Sequence, residues 1–221
     1  MTLRAGLGAV IILLSAEGVP ARAASDCARV GGVSTDETSA WSKVRTDAKR
    51  VYFLHGPGEK AQCPSPSPAC RKQSYVVGGD ALLLGRAAGG YVCARFVGLH
   101  QSYDGWVRQA ELDAAASTFF PTWWDGFWSS RDDYARRITI QYGDGASFKI
   151  SAELNGIVLA GEFEPTGDRA EFAIGDDGRP KPLAGAGDTA CVVTLRVAGP
   201  YLLVKSGEAC GAAQFSGVYG H

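Results

Sequence analysis

Short apolar runs separated by turn signals dominate the chain from about residue 50 onward. Val, Ile, Leu, Tyr and Phe recur in these runs, and few segments show the sustained periodicity of an amphipathic helix. Turns such as Gly143-Asp144-Gly145 and Asn155-Gly156 separate the runs, as between the strands of β-hairpins. The pattern predicts an all-β fold, with at most one helical turn at Ser39–Thr46.

The strand candidates fall into two groups, which predict two β domains. We assign residues 26–113 to the first domain, 114–123 to a linker and 124–221 to the second domain. About eight short strands in the second domain predict an antiparallel β-barrel, because a closed sheet has no exposed edges. The first domain has strand candidates at Arg50–Leu54, Ser74–Val77, Ala81–Arg86, Gly90–Val97 and Gly105–Arg108. The second has them at Gly126–Trp128, Arg137–Tyr142, Ser147–Ala152, Ile157–Glu162, Arg169–Ile174, Cys191–Val197, Tyr201–Lys205 and Ala213–Tyr219.

The chain begins with the three parts of a secretory signal peptide. A positive charge at Arg4 precedes an apolar run, Ala5–Ala16, that is shorter than the roughly 20 residues needed to cross a bilayer. Ala21-Arg22-Ala23 then provides a small-x-small cleavage signal, so residues 1–23 are predicted to be removed. The alternative is a buried N-terminal helix. No later segment reaches about 18 consecutive apolar residues, so we expect a periplasmic or secreted protein without a membrane span.

All six cysteines follow the predicted cleavage site. An even number in an oxidising compartment predicts disulfides, although six cysteines allow fifteen connectivities. Metal thiolates are the weaker alternative, because the chain has no Cys-x-x-Cys motif. The spacing favours Cys63 with Cys70 across a Pro-rich loop and Cys191 with Cys210 on two strand-like segments, and leaves Cys27 with Cys93 as the least certain pair.

Composition and charge exclude several classes of protein. Of the 221 residues, 46% are apolar and 20% are charged, as in a globular chain rather than a disordered one. The formal net charge is −1, so the chain has no broad basic field of the kind that binds nucleic acid. Any partner must therefore be recognised by local patches.

The sequence contains no complete set of catalytic residues in a known motif. Gly-x-Ser-x-Gly and the phosphate-binding Gly-x-x-x-x-Gly-Lys do not occur, and the three histidines, His55, His100 and His221, have no motif partner. Glu162 and Glu164 share one face of a predicted strand, with carboxyls roughly 6–7 Å apart, a separation within the range of a glycosidase pair. A charged alternating face is more often the solvated side of a sheet. We therefore predict no enzyme, no cofactor and no metal.

On the evidence of the Gly56-Pro57-Gly58 turn, the Gly78-Gly79-Asp80 turn and the Gly105-Trp106-Val107 segment, residues 48–113 resemble a bacterial SH3-like domain. The resemblance implies a small β-barrel that binds peptidoglycan or a peptide. In that family a Gly-Asp turn feeds a strand, and a Gly-Trp-Val strand closes the barrel. The resemblance is carried by Gly56-Pro57-Gly58, Val76-Val77-Gly78-Gly79-Asp80-Ala81-Leu82-Leu83, Gly90-Tyr91-Val92, Asp104-Gly105-Trp106-Val107 and Leu112.

With Trp124-Asp125-Gly126-Phe127-Trp128 at its start and Phe215-Ser216-Gly217-Val218-Tyr219 at its end, the second half looks like a secreted barrel module of unknown or lysozyme-inhibitor-related function. Its Gly-x-Trp opening and its aromatic-Ser-Gly-x-Tyr closing segment are also similar to calycin barrels, in which the first and last strands pair. The residues that carry this resemblance are Trp124-Asp125-Gly126-Phe127-Trp128, Cys191–Arg196, Gly199–Val204, Cys210-Gly211 and Phe215-Ser216-Gly217-Val218-Tyr219.

Aromatic side chains are the remaining candidates for recognition. An aromatic face can stack on a sugar or pack on a peptide, although each of these rings could instead belong to the core. Arg71-Lys72, beside Cys70, could contact an anionic partner at the rim or form an ordinary solvated pair. The aromatic cluster at 119–124 is predicted to seal the two domains, with an exposed stacking surface as the alternative. The predicted binding residues are Tyr52, Tyr75, Tyr91, Tyr103 and Trp106.

Two β modules without a catalytic set lead to three hypotheses. The first is a non-catalytic cell-envelope protein that binds peptidoglycan or an envelope protein through its SH3-like domain. The second is an inhibitor or immunity protein against a lysozyme-like cell-wall hydrolase, whose rigid disulfide-stapled loops would enter an active-site cleft. The third is a small-ligand carrier that uses the interior of the barrel.

Overall fold

The computed structural model shows an all-β protein. It describes residue 27 and residues 40–98, 101–114, 119–130, 135–154, 157–184, 186–187, 189–211 and 214–221. These residues form fifteen strands in two antiparallel sheets, and no α-helix occurs among them. Short 3-10 helices lie at Pro68–Cys70, Gln109–Glu111, Pro121–Trp123 and Glu208–Cys210.

The first six strands form the N-terminal sheet, in the order β1-β4-β5-β6-β2-β3. Side chains alternate between its two faces, so Val51 and Phe53 enter the core while Tyr52 lies on the opposite face. Leu82, Ala94 and other buried apolar residues complete that core. The strands are β1 (Ala40–Lys43), β2 (Val51–Leu54), β3 (Arg71–Val76), β4 (Ala81–Ala88), β5 (Tyr91–Val97) and β6 (Ser102–Arg108).

The single helical turn that the sequence allowed at Ser39–Thr46 does not form over the described residues 40–46. Residues Ala40–Lys43 form β1, which pairs antiparallel with β4 and places Trp41 opposite Leu83. Pairing with a strand about forty residues away supplies backbone partners that a single helical turn could not, and Trp41 is partly buried against the second sheet. Tertiary contacts have therefore overridden a weak local preference.

The remaining nine strands form a nearly closed antiparallel barrel, in the order β10-β9-β8-β7-β15-β14-β13-β11-β12. The first and last strands pair as expected, with Tyr219 opposite Ser130. An open seam lies between the two edge strands, β10 and β12. Across it the Ala160 N–H donates to the oxygen of Gly178, just before β12, at 3.1 Å. The strands are β7 (Gly126–Ser130), β8 (Arg137–Tyr142), β9 (Phe148–Leu154), β10 (Ile157–Phe163), β11 (Arg169–Ile174), β12 (Pro180–Lys181), β13 (Cys191–Ala198), β14 (Tyr201–Ser206) and β15 (Gly217–Gly220).

Large aromatic side chains fill the interior of the barrel. Trp124, Trp128, Phe172 and Tyr219 belong to one cluster of nineteen buried residues. Their polar atoms are satisfied inside it: the Trp128 Nε1–H donates to the Trp124 oxygen at 3.2 Å, and the Tyr219 hydroxyl donates to the Phe215 oxygen at 2.7 Å. A buried polar group without a partner would be destabilising, so these bonds let the large rings pack without that penalty.

The two sheets pack against each other through an apolar cluster. It contains Leu83 and Val97 from the N-terminal sheet and Tyr201 and Leu203 from the barrel. The 119–124 segment adds to the contact, because Trp123 lies edge-to-face on the Trp41 ring at 5.9 Å between centroids. Trp124 lies fully inside the barrel, whereas Phe120 is 51% exposed. Of this aromatic segment, Trp123 is thus the ring that contacts the N-terminal sheet, so the predicted seal is confirmed for Trp123 alone.

All three expected disulfides are present. Cys63 pairs with Cys70 and Cys191 with Cys210, and the least certain pair, Cys27 with Cys93, also forms. Cys210 lies in a 3-10 helix after β14 rather than in a strand. Three disulfides indicate an oxidising environment, extracellular or periplasmic. The predicted signal peptide lies outside the described residues, and none of the helices that are described is long and apolar enough to cross a membrane.

Candidate functional site

The candidate site lies on the outer face of β2 and β3, opposite the face that carries Val51 and Phe53 into the core. Tyr52 and Tyr75 are cross-strand partners, and their ring centroids are 5.7 Å apart. Alternation directs both rings outward, because their neighbours Val51 and Val76 point into the core. Tyr75 is 39% exposed and Tyr52 is half-buried. The pair therefore presents two aromatic rings at the surface.

Two arginines extend the tyrosine pair into a row of four planar groups. The Arg71 guanidinium lies over the Tyr52 ring at 5.4 Å, and the Arg50 guanidinium lies over the Tyr75 ring at 4.7 Å. A guanidinium over an aromatic ring is attracted by the negative charge on the face of that ring. The row holds two cations in place on the surface of a sheet.

A cleft of about 270 Å³ opens beside this row. Arg108, at the end of β6, brings a third guanidinium to it, and the Cys63–Cys70 loop contributes Pro66. No carboxylate among the described residues forms an ion pair with these three arginines. We call this site the Arg–Tyr cleft; it is lined by Arg50, Tyr52, Leu54, Pro66, Arg71, Arg108 and Glu111.

The structure brings together only two of the five predicted binding residues. Tyr91 packs beside the buried cluster that surrounds the Cys27–Cys93 disulfide. Tyr103 lies in β6, and its ring centroid is 6.3 Å from that of Phe53 and 6.4 Å from that of Phe96. Trp106 is 2% exposed and belongs to the same buried cluster as Cys93, so its ring is not offered to a ligand. A role for Tyr52 and Tyr75 in binding stays a prediction.

Sequence reasoning missed two of the three arginines. From the sequence, Arg71 together with Lys72 is a possible contact for an anionic partner, but the two side chains lie in different places. Lys72 leaves the Arg–Tyr cleft to pair with Glu59 at 3.1 Å. Arg50 and Arg108 lie 58 positions apart in the chain, and only the pairing of β2 with β6 makes them neighbours. Alternation along β2 would have placed Arg50 beside Tyr52, but no local signal identifies Arg108.

His55 gains a partner that the sequence did not reveal. Its Nδ1 lies 3.1 Å from Glu59 Oε2, which also accepts the Gly56 N–H at 3.0 Å. Partial burial raises the pKa of Glu59, but the Gly56 N–H, Lys72 and His55 outweigh burial and hold that pKa below its usual value. Within the described residues, no hydroxyl or thiol hydrogen-bonds to His55 in turn. The hydrogen bonds among His55, Gly56 and Glu59 therefore stabilise a turn, and they include no nucleophile.

A larger cleft, of about 750 Å³, lies at the barrel seam. Glu162 and Glu164, the carboxylates considered as a glycosidase pair, both line it. Its charges largely compensate one another, since Arg169 pairs with Glu171 at 3.6 Å and Glu162 lies 4.0 Å from Lys149. Across the described parts of the chain, no group of three or more metal-ligating side chains is found. The Arg–Tyr cleft is the better candidate, because no carboxylate among the described residues pairs with its arginines.

Comparisons of this chain with models of protein families, with curated proteins and with solved structures yielded no match. The chemistry of the site therefore has to be argued from its own geometry, which combines two outward aromatic rings with three guanidinium groups and one carboxylate, Glu111.

Proposed function

We propose that this chain is a non-catalytic binding protein of the bacterial cell envelope. Its N-terminal half would act as an SH3-like module that binds peptidoglycan at the Arg–Tyr cleft. The proposal rests on one observation: Tyr52 and Tyr75 lie side by side on the outward face of the sheet, each with an arginine over its ring. Aromatic faces and cations are thus neighbours at the surface. Three disulfides support a location outside the cytoplasm, where such a ligand is found.

Binding suits this cleft better than catalysis. Its lining offers guanidinium groups, which stay protonated at any physiological pH and so cannot act as general bases. The side chains around them are Tyr52, Leu54, Pro66 and Glu111, which include no serine, cysteine or histidine. Aromatic faces and fixed cations instead recognise sugar rings and anionic groups through stacking and charge-assisted hydrogen bonds.

The barrel gives the carrier hypothesis no support. Nineteen buried residues occupy its interior, among them Trp124, Trp128, Phe148 and Phe215. A carrier of this kind needs an internal cavity, whereas the described interior is packed with aromatic rings and the 750 Å³ cleft lies at the open seam. No observation favours the inhibitor hypothesis over envelope binding. Inhibition of a lysozyme is therefore a result that would overturn the proposal.

Co-sedimentation with purified cell-wall sacculi tests the proposal. We expect the protein to sediment with sacculi, and the variant Tyr52→Ala/Tyr75→Ala to remain in the supernatant. Phe127→Ala is the matched control, because Phe127 is 58% exposed on the barrel, away from the cleft. Unchanged sedimentation of the double variant would remove the cleft from the proposal. Protein that never sediments but blocks a lysozyme would replace envelope binding with inhibition.

A further inference from the structure

We infer that the Arg–Tyr cleft binds the free carboxylates of the peptide stem of peptidoglycan. This inference rests on the proposed function and adds to it the group that is recognised. The cleft gathers Arg50, Arg71 and Arg108 around one carboxylate, Glu111. The local charge is thus positive in a chain whose net charge is −1.

Among the described residues, the three arginines have no carboxylate counter-ion, in contrast to Arg45 and Arg196. Arg45 pairs with Asp47 at 3.0 Å, and Arg196 pairs with Asp168 at 2.9 Å. In the described part of the chain, no carboxylate pairs with the arginines of the cleft. Like charges held close together repel one another, and an incoming anion relieves that repulsion. The site is therefore arranged for an anionic ligand.

The chemistry of arginine favours a carboxylate as that ligand. A guanidinium is a planar fork that binds a carboxylate through two parallel hydrogen bonds, and it can stack on an aromatic ring at the same time. Tyr52 and Tyr75 hold two of the forks through such ring contacts. This support reduces the conformational freedom that Arg50 and Arg71 would lose on binding.

The size of the cleft favours a short peptide stem over a folded protein surface. Its volume of about 270 Å³ is near the lower end of small-ligand sites, whereas a stable protein interface buries roughly 800 Å² on each partner. Leu54 and Pro66 give the cleft an apolar wall, and the tyrosines beside it can stack on a sugar. A carboxylate-bearing glycopeptide provides all of these complementary groups.

The test compares native sacculi with sacculi whose carboxyl groups have been converted to amides. We expect the protein to bind native sacculi and to lose about tenfold or more in affinity for the amidated ones, the loss typical of charge-assisted hydrogen bonds. Arg50→Gln, Arg71→Gln and Arg108→Gln should each weaken binding to native sacculi similarly. Arg86→Gln is the matched control, since Arg86 is exposed on β4 and does not line the cleft. Thermal melts verify that each variant is folded.

The outcomes distinguish failure of the carboxylate inference from failure of the proposed envelope binding. Equal binding to native and amidated sacculi, or equal losses in Arg71→Gln and Arg86→Gln, would overturn the carboxylate inference and leave envelope binding in place. No binding to either preparation would overturn both. In competition, a soluble muramyl tripeptide should displace the protein from sacculi. If a hexaglutamate peptide displaces it and the muramyl tripeptide does not, the ligand is an acidic protein segment and the inference is wrong.

Discussion

The Tyr201 hydroxyl donates a 2.7 Å hydrogen bond to the main-chain oxygen of Ala81, and so connects the barrel to the N-terminal sheet. The two residues are 120 positions apart in the chain. Around this bond, Leu83, Leu203 and the partly buried Trp41 exclude water from the junction. The bond therefore fixes how one sheet lies on the other, and its loss should be measurable as a loss of stability.

Tyr201→Phe keeps the ring and removes only the hydroxyl. We expect the free energy of unfolding to fall by about 1–3 kcal/mol, because the Ala81 oxygen loses its donor in a buried setting. Urea denaturation measures the change. Tyr142→Phe is the control, since the Tyr142 ring is 48% exposed and its change should be near zero. Equal effects in the two variants would show that the junction does not depend on this bond.

Gly199, between β13 and β14, packs directly against the Trp41 ring. A Cβ built there would lie 2.5 Å from the Trp41 ring, and the residue has φ +60°. Gly89 has nearly the same backbone, φ +59°, but open space around it. Gly199→Ala should therefore destabilise the protein by about 1–3 kcal/mol more than Gly89→Ala, the usual range for overpacking. Thermal or urea unfolding of both variants isolates the steric effect from the backbone strain they share.

Glu59 should make stability depend on pH in a definite direction. Its folded-state pKa lies below the ordinary glutamate value of 4.5. Its contribution is thus complete above about pH 4.5 and disappears as the pH falls through the lower folded-state pKa. We expect the stability difference between the wild type and Glu59→Gln to be largest near pH 7 and to shrink below pH 4.5. Glu164→Gln, at an exposed position, is the control; a constant difference for Glu59→Gln would contradict the assignment.

The disulfides should differ in their contribution to stability. Cys27–Cys93 spans 66 positions and Cys63–Cys70 spans 7. A longer loop loses more freedom when it is closed, so we expect removal by paired Cys→Ala substitution to cost about 4 kcal/mol for the first and about 2–3 kcal/mol for the second. Urea unfolding of each double variant measures these values. A larger loss on removal of Cys63–Cys70 would show that native packing, rather than loop length, dominates.

Local pattern was sufficient for most of the barrel. Strands at Arg137–Tyr142 and Arg169–Ile174 were predicted with the bounds that the structure shows. Alternating side chains and glycine-containing turns specify such strands from neighbouring residues alone. The Cys63–Cys70 bridge was predictable for the same reason, since a short loop keeps its ends close.

Long-range pairing decided the rest. Trp41 lies in a strand because β4 offers it a partner, and Trp106 is buried because Cys27, Leu54 and Cys93 pack around it. The Arg–Tyr cleft depends on the register that sets Leu54 opposite both Arg71 and Trp106.

By itself, then, the sequence determined an all-β chain with a disulfide-stapled barrel, because strand alternation, turn residues and cysteine spacing act over a few neighbouring positions. Only the tertiary structure decided which rings are buried and which cations converge. Strand register and the packing of one sheet on another depend on residues far apart in the chain, and a single residue of slip would turn Tyr52 and Arg71 to the other face.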